Sequence, residues 1–151
     1  AIGYKWYDVK GYTPLFAFGH GLSYTTFAVS DARATVEKGE LTISAAIRNT
    51  GKTAGKGVIQ VYVAPADYKA VGWEAPKRFV AFRKEAVAPG ATSGTFTQKI
   101  DPRLLATYEV ADNSWRIRAG TYQVLFGQAA DDLPQSVTIT LPDLTWSAVH
   151  K

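Results

Sequence analysis

From about position 27 onward, apolar and polar residues alternate with a period of two, and helical spacing is nearly absent. Leu41, Ile43, Ala45 and Ile47 fall on one side, with Thr42, Ser44, Ala46 and Arg48 on the other. Ile59, Val61 and Val63 repeat the pattern against Val58, Gln60 and Tyr62. A weaker alternation runs through Gly94, Phe96, Gln98 and Ile100, and Trp115 and Ile117 interleave with Arg116 and Arg118. Tyr122, Val124 and Phe126 follow, then Val137, Ile139 and Leu141 separated by Ser136, Thr138 and Thr140. One-sided alternation of this kind marks antiparallel strands that bury a single face.

Turn chemistry falls between these runs at Lys38-Gly39, Asn49-Thr50-Gly51, Pro89-Gly90, Ala119-Gly120 and Leu133-Pro134. Glycine accepts positive φ there, and proline interrupts the hydrogen-bond ladder. Asp101-Pro102-Arg103-Leu104-Leu105, an acidic cap followed by proline, predicts a single helical turn. The pattern therefore predicts an all-β fold, an immunoglobulin or fibronectin type III-like antiparallel β-sandwich of about seven strands. No cysteine is present to form an intersheet disulfide, which favours the fibronectin-like version. The predicted sandwich spans residues 27–141, with an arm over 1–26 and a tail over 142–151 whose Leu144 and Trp146 are candidates to pack on a neighbour.

The arm departs from everything that follows it. Eight of the nineteen aromatic residues lie in the first twenty-seven positions: Tyr4, Trp6, Tyr7, Tyr12, Phe16, Phe18, Tyr24 and Phe27. Gly3, Gly11, Pro14, Gly19 and Gly21 interleave with them, too many breakers for a long helix. The stretch is also too apolar for a solvated linker. Each ring buries roughly 150–250 Å², so docking half of them would hide about 600–1,000 Å². Such a surface calls for a partner, and Tyr4, Trp6, Tyr7, Phe16, Phe18 and His20 are the candidate docking residues.

Composition narrows the classes. The chain has 151 residues, 46% of them apolar and 20% charged, which is globular rather than disordered. No apolar run approaches the eighteen or so residues of a membrane helix. The net charge of +4 is spread over separate loops and forms no basic stripe, so neither nucleic acid nor membrane is an expected partner. Met is absent and the chain opens Ala1-Ile2-Gly3, which reads as a piece of something longer.

Candidate chemistry is sparse. The two histidines, His20 and His150, are far apart in sequence, so no metal cluster is expected. Gly21-Leu22-Ser23-Tyr24-Thr25 is a broken nucleophile elbow, with Thr25 where a second glycine is needed. Asp131 and Asp132 are adjacent and cannot readily flank one sugar, and Asp112 stands apart beside Asn113. No catalytic residue, metal or cofactor is assigned. The loop from Ala64 to Pro76 is long for a sandwich connection and carries Tyr68 and Trp73. These two are candidates for a substrate-margin contact with an oligosaccharide or for an interdomain contact. A free-standing sandwich that donates its arm as a strand is disfavoured by the glycines and prolines in that arm.

Taken in order, these segments resemble the C-terminal end of glycoside hydrolase family 3 enzymes, the β-glucosidases and β-xylosidases. The arm motifs are Gly3-Tyr4-Lys5-Trp6-Tyr7-Asp8 and Pro14-Leu15-Phe16-Ala17-Phe18-Gly19-His20-Gly21-Leu22-Ser23-Tyr24-Thr25, with Ala17 in place of the usual proline. Asn49-Thr50-Gly51, Ala54-Gly55 and Val58 to Val63 are similar to the opening strands of that family's fibronectin type III-like domain. Pro76-Lys77-Arg78-Phe79, Phe82-Arg83-Lys84 and Pro89-Gly90 match its middle, with Phe79 and Ala81 departing from the common leucine and glycine. Trp115, Ile117, Ala119-Gly120-Thr121-Tyr122, Val124 and Gly127 match its closing hairpin, and Glu109 stands where aspartate is frequent. The resemblance implies a retaining, exo-acting β-glycosidase as parent, a β-glucosidase in the first place. Its catalytic carboxylates lie upstream, and none is carried over. It further implies a non-catalytic module packed on the catalytic barrel and the α/β sandwich domain of the same enzyme, in an intact or nicked chain. The expected location is secreted or periplasmic. The alternative is a carbohydrate-binding module that uses the Tyr68/Trp73 loop.

Overall fold

The computed structural model describes residues 25–148. The first two strands, β1 (Phe27–Glu37) and β2 (Glu40–Asn49), form a hairpin across Lys38 and Gly39, whose φ angles are 53° and 79°. Positive φ at both positions of a two-residue turn matches the twist of the flanking strands, and glycine adopts it without a Cβ clash. Within β1 the register slips between Ser30 and Arg33, and Asp31 has φ of 55°. This bulge reverses the parity of the strand. Val29 points inward before it, whereas Ala32, Ala34 and Val36 pack on the core after it.

The remaining strands are β3 (Gly55–Pro65), β4 (Arg78–Val87), β5 (Phe96–Lys99), β6 (Thr107–Glu109), β7 (Ser114–Ile117), β8 (Gly120–Gly127), β9 (Gln135–Leu141) and β10 (Leu144–Ser147). One sheet has the order β1-β2-β5 and the facing sheet β4-β3-β8-β9, with all pairings antiparallel. The core lies between them. Leu41, Ile43, Ala45 and Ile47 of β2 meet Ile59, Val61 and Val63 of β3 and Val124 and Phe126 of β8, as the alternation predicts. The predicted helical turn is a 3₁₀ turn over Pro102–Leu104, with the Asp101 carboxylate accepting from the Arg103 amide. Arg103 holds the Asp101 carboxyl below the usual carboxylate range.

Ten strands form where about seven are expected, and several of them are short. β6, β7 and β10 make a third small sheet in the order β10-β7-β6. Residues 142–151 are set apart as a tail by the sequence pattern, yet Leu144–Ser147 pairs with β7, placing Trp146 opposite Trp115. Tyr62 also departs from expectation. It lies on the outward side of β3 but is buried, because the Phe79 ring packs edge-on at 5.4 Å and the Lys77 ammonium lies 5.3 Å from its ring centre.

Tyr122 locks the start of β8. Its ring is fully buried and its hydroxyl donates to the Arg118 carbonyl at 2.6 Å, the tyrosine-corner arrangement of such sandwiches. Burial raises the Tyr122 phenol above its ordinary value of 10.0, with Arg118 and Arg78 opposing the shift. The stabilisation tied to this neutral phenol is complete below the unfolded value and is lost as pH climbs through the raised folded one. Tyr122→Phe is expected to cost about 1–2 kcal/mol, since it leaves the Arg118 carbonyl without its donor. It should also flatten the alkaline fall in stability, as checked by urea unfolding across pH.

Candidate functional site

Three features bear on function: the point where the arm meets the sandwich, the long loop after β3, and a groove beside that loop. The predicted docking residues Tyr4, Trp6, Tyr7, Phe16, Phe18 and His20 lie outside the described residues. Their attachment point is described in detail. Asn49, at the end of β2, is fully buried. Its Oδ1 accepts from the Thr25 hydroxyl at 2.6 Å and from the Gly51 amide at 2.9 Å. Its Nδ2 donates to the carbonyls of Thr53 and Val87, each at 2.9 Å. Thr26 and Thr50 add a hydroxyl pair at 2.6 Å and a backbone bond at 2.8 Å. A Cβ on Gly51 would stand 2.9 Å from the Thr26 amide and 3.0 Å from the Thr25 Cα, so the turn packs directly on the incoming chain. Neither the turn chemistry of Asn49-Thr50-Gly51 nor its resemblance to a family motif predicts this anchoring. The missed signal is a buried asparagine at a strand end, whose four bonds fix where the arm leaves.

The long loop is folded down rather than held out. Asp67 caps it, its Oδ1 accepting from the amides of Lys69 and Ala70 at 3.2 and 3.3 Å. Gly72 takes φ of 81°, which turns the chain so that Trp73 drops into the core. Trp73 is only 4% exposed, and its ring lies 5.9 Å from that of Tyr122. The Arg78 guanidinium covers it at 4.3 Å, a cation–π contact. Arg78 also pairs with Glu74 at 2.9 Å and donates to the carbonyls of Leu104 and Ala106 at 3.2 and 2.7 Å. This corrects the sugar-stacking reading of Trp73, since a buried ring offers no face to a pyranose. Tyr68 is half-buried against the core, with the Lys69 ammonium 5.9 Å from its ring centre.

Beside this loop runs a groove of about 500 Å³, lined by Phe79, Leu104, Tyr108 and Trp115 with Glu74, Arg78 and Arg103 at its edges. Tyr108 and Trp115 pack edge-to-face at 5.5 Å, and the Tyr108 hydroxyl bonds to Asn113. Sequence reading missed the groove because its residues come from three short, separated segments. Among the described residues no group of three or more His, Asp or Glu side chains could hold a metal. No helix there is long and apolar enough to cross a membrane.

Residues 57–130 match the fibronectin type III-like domain family. The chain is 36% identical over 138 residues to thermostable β-glucosidase B of Acetivibrio thermocellus, covering 87% of this chain and 18% of that protein. It is 39% identical over 145 residues to a β-glucosidase of Rhizobium radiobacter, covering 93% of this chain and 17% of the relative. Among solved structures, β-glucosidase 3B from Thermotoga neapolitana in complex with glucose superposes with a TM-score of 0.73 at 32% identity, over 95% of this chain and 20% of that one. A GH3 β-glucosidase from Bifidobacterium adolescentis gives 0.72 at 27% identity, over 81% of this chain and 18% of that one. The chain thus spans about a fifth or less of the length of the curated relatives it matches.

Proposed function

The chain carries a fibronectin type III-like domain, and from that premise we propose that it is the non-catalytic C-terminal module of a family 3 β-glucosidase, packed against the enzyme's catalytic domains and stabilising them. One observation carries the reading: most of this chain aligns with less than a fifth of much longer β-glucosidases. The reaction, cleavage of a terminal β-glucoside, belongs in this proposal to the other four fifths. The partners are accordingly the barrel and the α/β sandwich domain that precede Ala1, reached through the aromatic arm. The pinned junction of Thr25 and Thr26 on Asn49 and Thr50 supports that role, because a brace needs a fixed point of attachment. We place the parent enzyme outside the cytoplasm, secreted or periplasmic, as the family resemblance implies.

The test is truncation of the parent enzyme just before the arm. The shortened enzyme is expected to lose heat resistance and to expose apolar surface, read as faster inactivation and as dye binding. A truncated enzyme as heat-resistant as the whole would overturn the proposal.

A further inference from the structure

Four large apolar side chains stand exposed among the described residues, and three of them fall between positions 104 and 110. They are Leu104, Tyr108 and Val110, at 40%, 44% and 81% exposure. Leu104 and Tyr108 line the groove whose other walls include Phe79 and Trp115, and Val110 tips the same hairpin. We propose that this groove and hairpin form the surface on which the preceding catalytic domains of the same chain dock. The proposal rests on the module reading above and names its contact face.

The surface is built in advance. β6 pairs with β7, and β7 with β10, so the central strand of the hairpin is held from both sides and β6 forms the edge. Arg78 ties the carbonyls of Leu104 and Ala106, fixing the segment that leads into it. A rigid apolar face loses little conformational entropy on docking.

Charge also points to a protein surface. Around the groove Arg78 pairs with Glu74 at 2.9 Å, Arg103 with Asp101 at 2.7 Å, Arg116 with Asp143 at 2.9 Å and Arg118 with Glu109 at 3.3 Å. Each of these four arginines is answered within the module, so the groove offers no unpaired guanidinium, and its walls at Phe79, Leu104, Tyr108 and Trp115 are largely apolar. A sugar needs directed polar groups for its hydroxyls, whereas an apolar protein face needs only shape and dryness.

Tethering selects which protein that is. Similar segments occupy only 15–22% of the longer chains they belong to, so a large covalently linked neighbour is present at an effective concentration on the order of millimolar. The groove lies at the far end of the sandwich from Thr25. β3 starts beside the Asn49 turn and runs to Pro65, and its far half pairs with Arg78 and Phe79. That length is roughly 36 Å for an eleven-residue strand, while the twenty-four residues ahead of Thr25 reach up to roughly 80 Å when extended. The neighbour can therefore lie alongside the sandwich and cover the hairpin.

Hydroxyl-radical footprinting of the isolated chain and of the full-length enzyme tests this. Labelling of Leu104, Tyr108 and Trp115 is expected in the isolated chain and lost in the full-length enzyme. Val110→Asp in the full-length enzyme should restore that labelling while leaving the melting of the isolated chain unchanged. Equal labelling of Tyr108 in both forms would overturn the proposal. If Trp6 and Tyr7 were protected in the full-length enzyme while Tyr108 was not, this surface would be wrong and the module reading would stand; protection of neither would sink both. Protection of Tyr108 in the isolated chain by a cello-oligosaccharide alone would make the groove a sugar subsite and overturn the docking assignment.

Discussion

Trp73→Ala is expected to destabilise the isolated chain by roughly 3–5 kcal/mol, as large-to-small changes at buried aromatics do. For a chain of this size that lowers the melting temperature by about 10 °C or more. The indole sits between the Tyr122 ring and the Arg78 guanidinium, so truncation opens a cavity and removes the surface on which Arg78 rests. Arg78 in turn holds Glu74 and the carbonyls of Leu104 and Ala106, so the loss spreads to the groove wall. Chemical denaturation reads the effect. Calorimetry with cello- and xylo-oligosaccharides supplies the contrast, because a core tryptophan changes stability and not sugar affinity. A variant that melted like the wild type but lost sugar binding would reinstate the carbohydrate-binding reading of this loop.

Asn49→Ala is expected to cost about 3–5 kcal/mol, since unsatisfied buried polar groups cost roughly 1–3 kcal/mol each. It would strand the carbonyls of Thr53 and Val87 and the amide of Gly51, and release the Thr25 hydroxyl. Asn49→Asp separates packing from bonding. The replacement is nearly isosteric, but it sets a carboxylate oxygen against two carbonyl oxygens. It should therefore destabilise at neutral pH and recover part of the loss in acid, where a protonated carboxyl can donate. Hydrogen exchange would locate the damage at the ends of β2 and β4 and at Thr26, where the chain joins the arm. Protection unchanged at these positions in Asn49→Ala would refute the anchoring role.

What could be read from the sequence follows from which strands bury one face without interruption. β2, β3 and β8 are long and regular, so Leu41 to Ile47, Ile59 to Val63 and Tyr122 to Phe126 declared their inward sides. β1 resisted because the bulge at Asp31 reverses its parity halfway. β4 is an edge strand with consecutive exposed residues at Phe82, Arg83 and Lys84, which no period-two pattern describes. β6 and β10 have only three and four residues, too few for alternation to register, whereas β7 shows it in Trp115 and Ile117 against Arg116. The same limit hid the groove, which needs those short strands and the 3₁₀ turn brought together. Trp73 misled for a different reason. An aromatic in a long loop reads as an exposed contact until the positive φ of Gly72 is known to turn it inward.

In the role proposed for them, this sandwich and its arm complete a larger enzyme. Heat inactivation of the parent enzyme truncated before the arm, followed with and without added 151-residue chain, tests this role. Added chain is expected to bind the truncated enzyme one to one and slow its inactivation toward that of the whole enzyme. Inactivation that is unchanged by any excess of the chain, with no complex detected by native mass measurement, would rule out the bracing role.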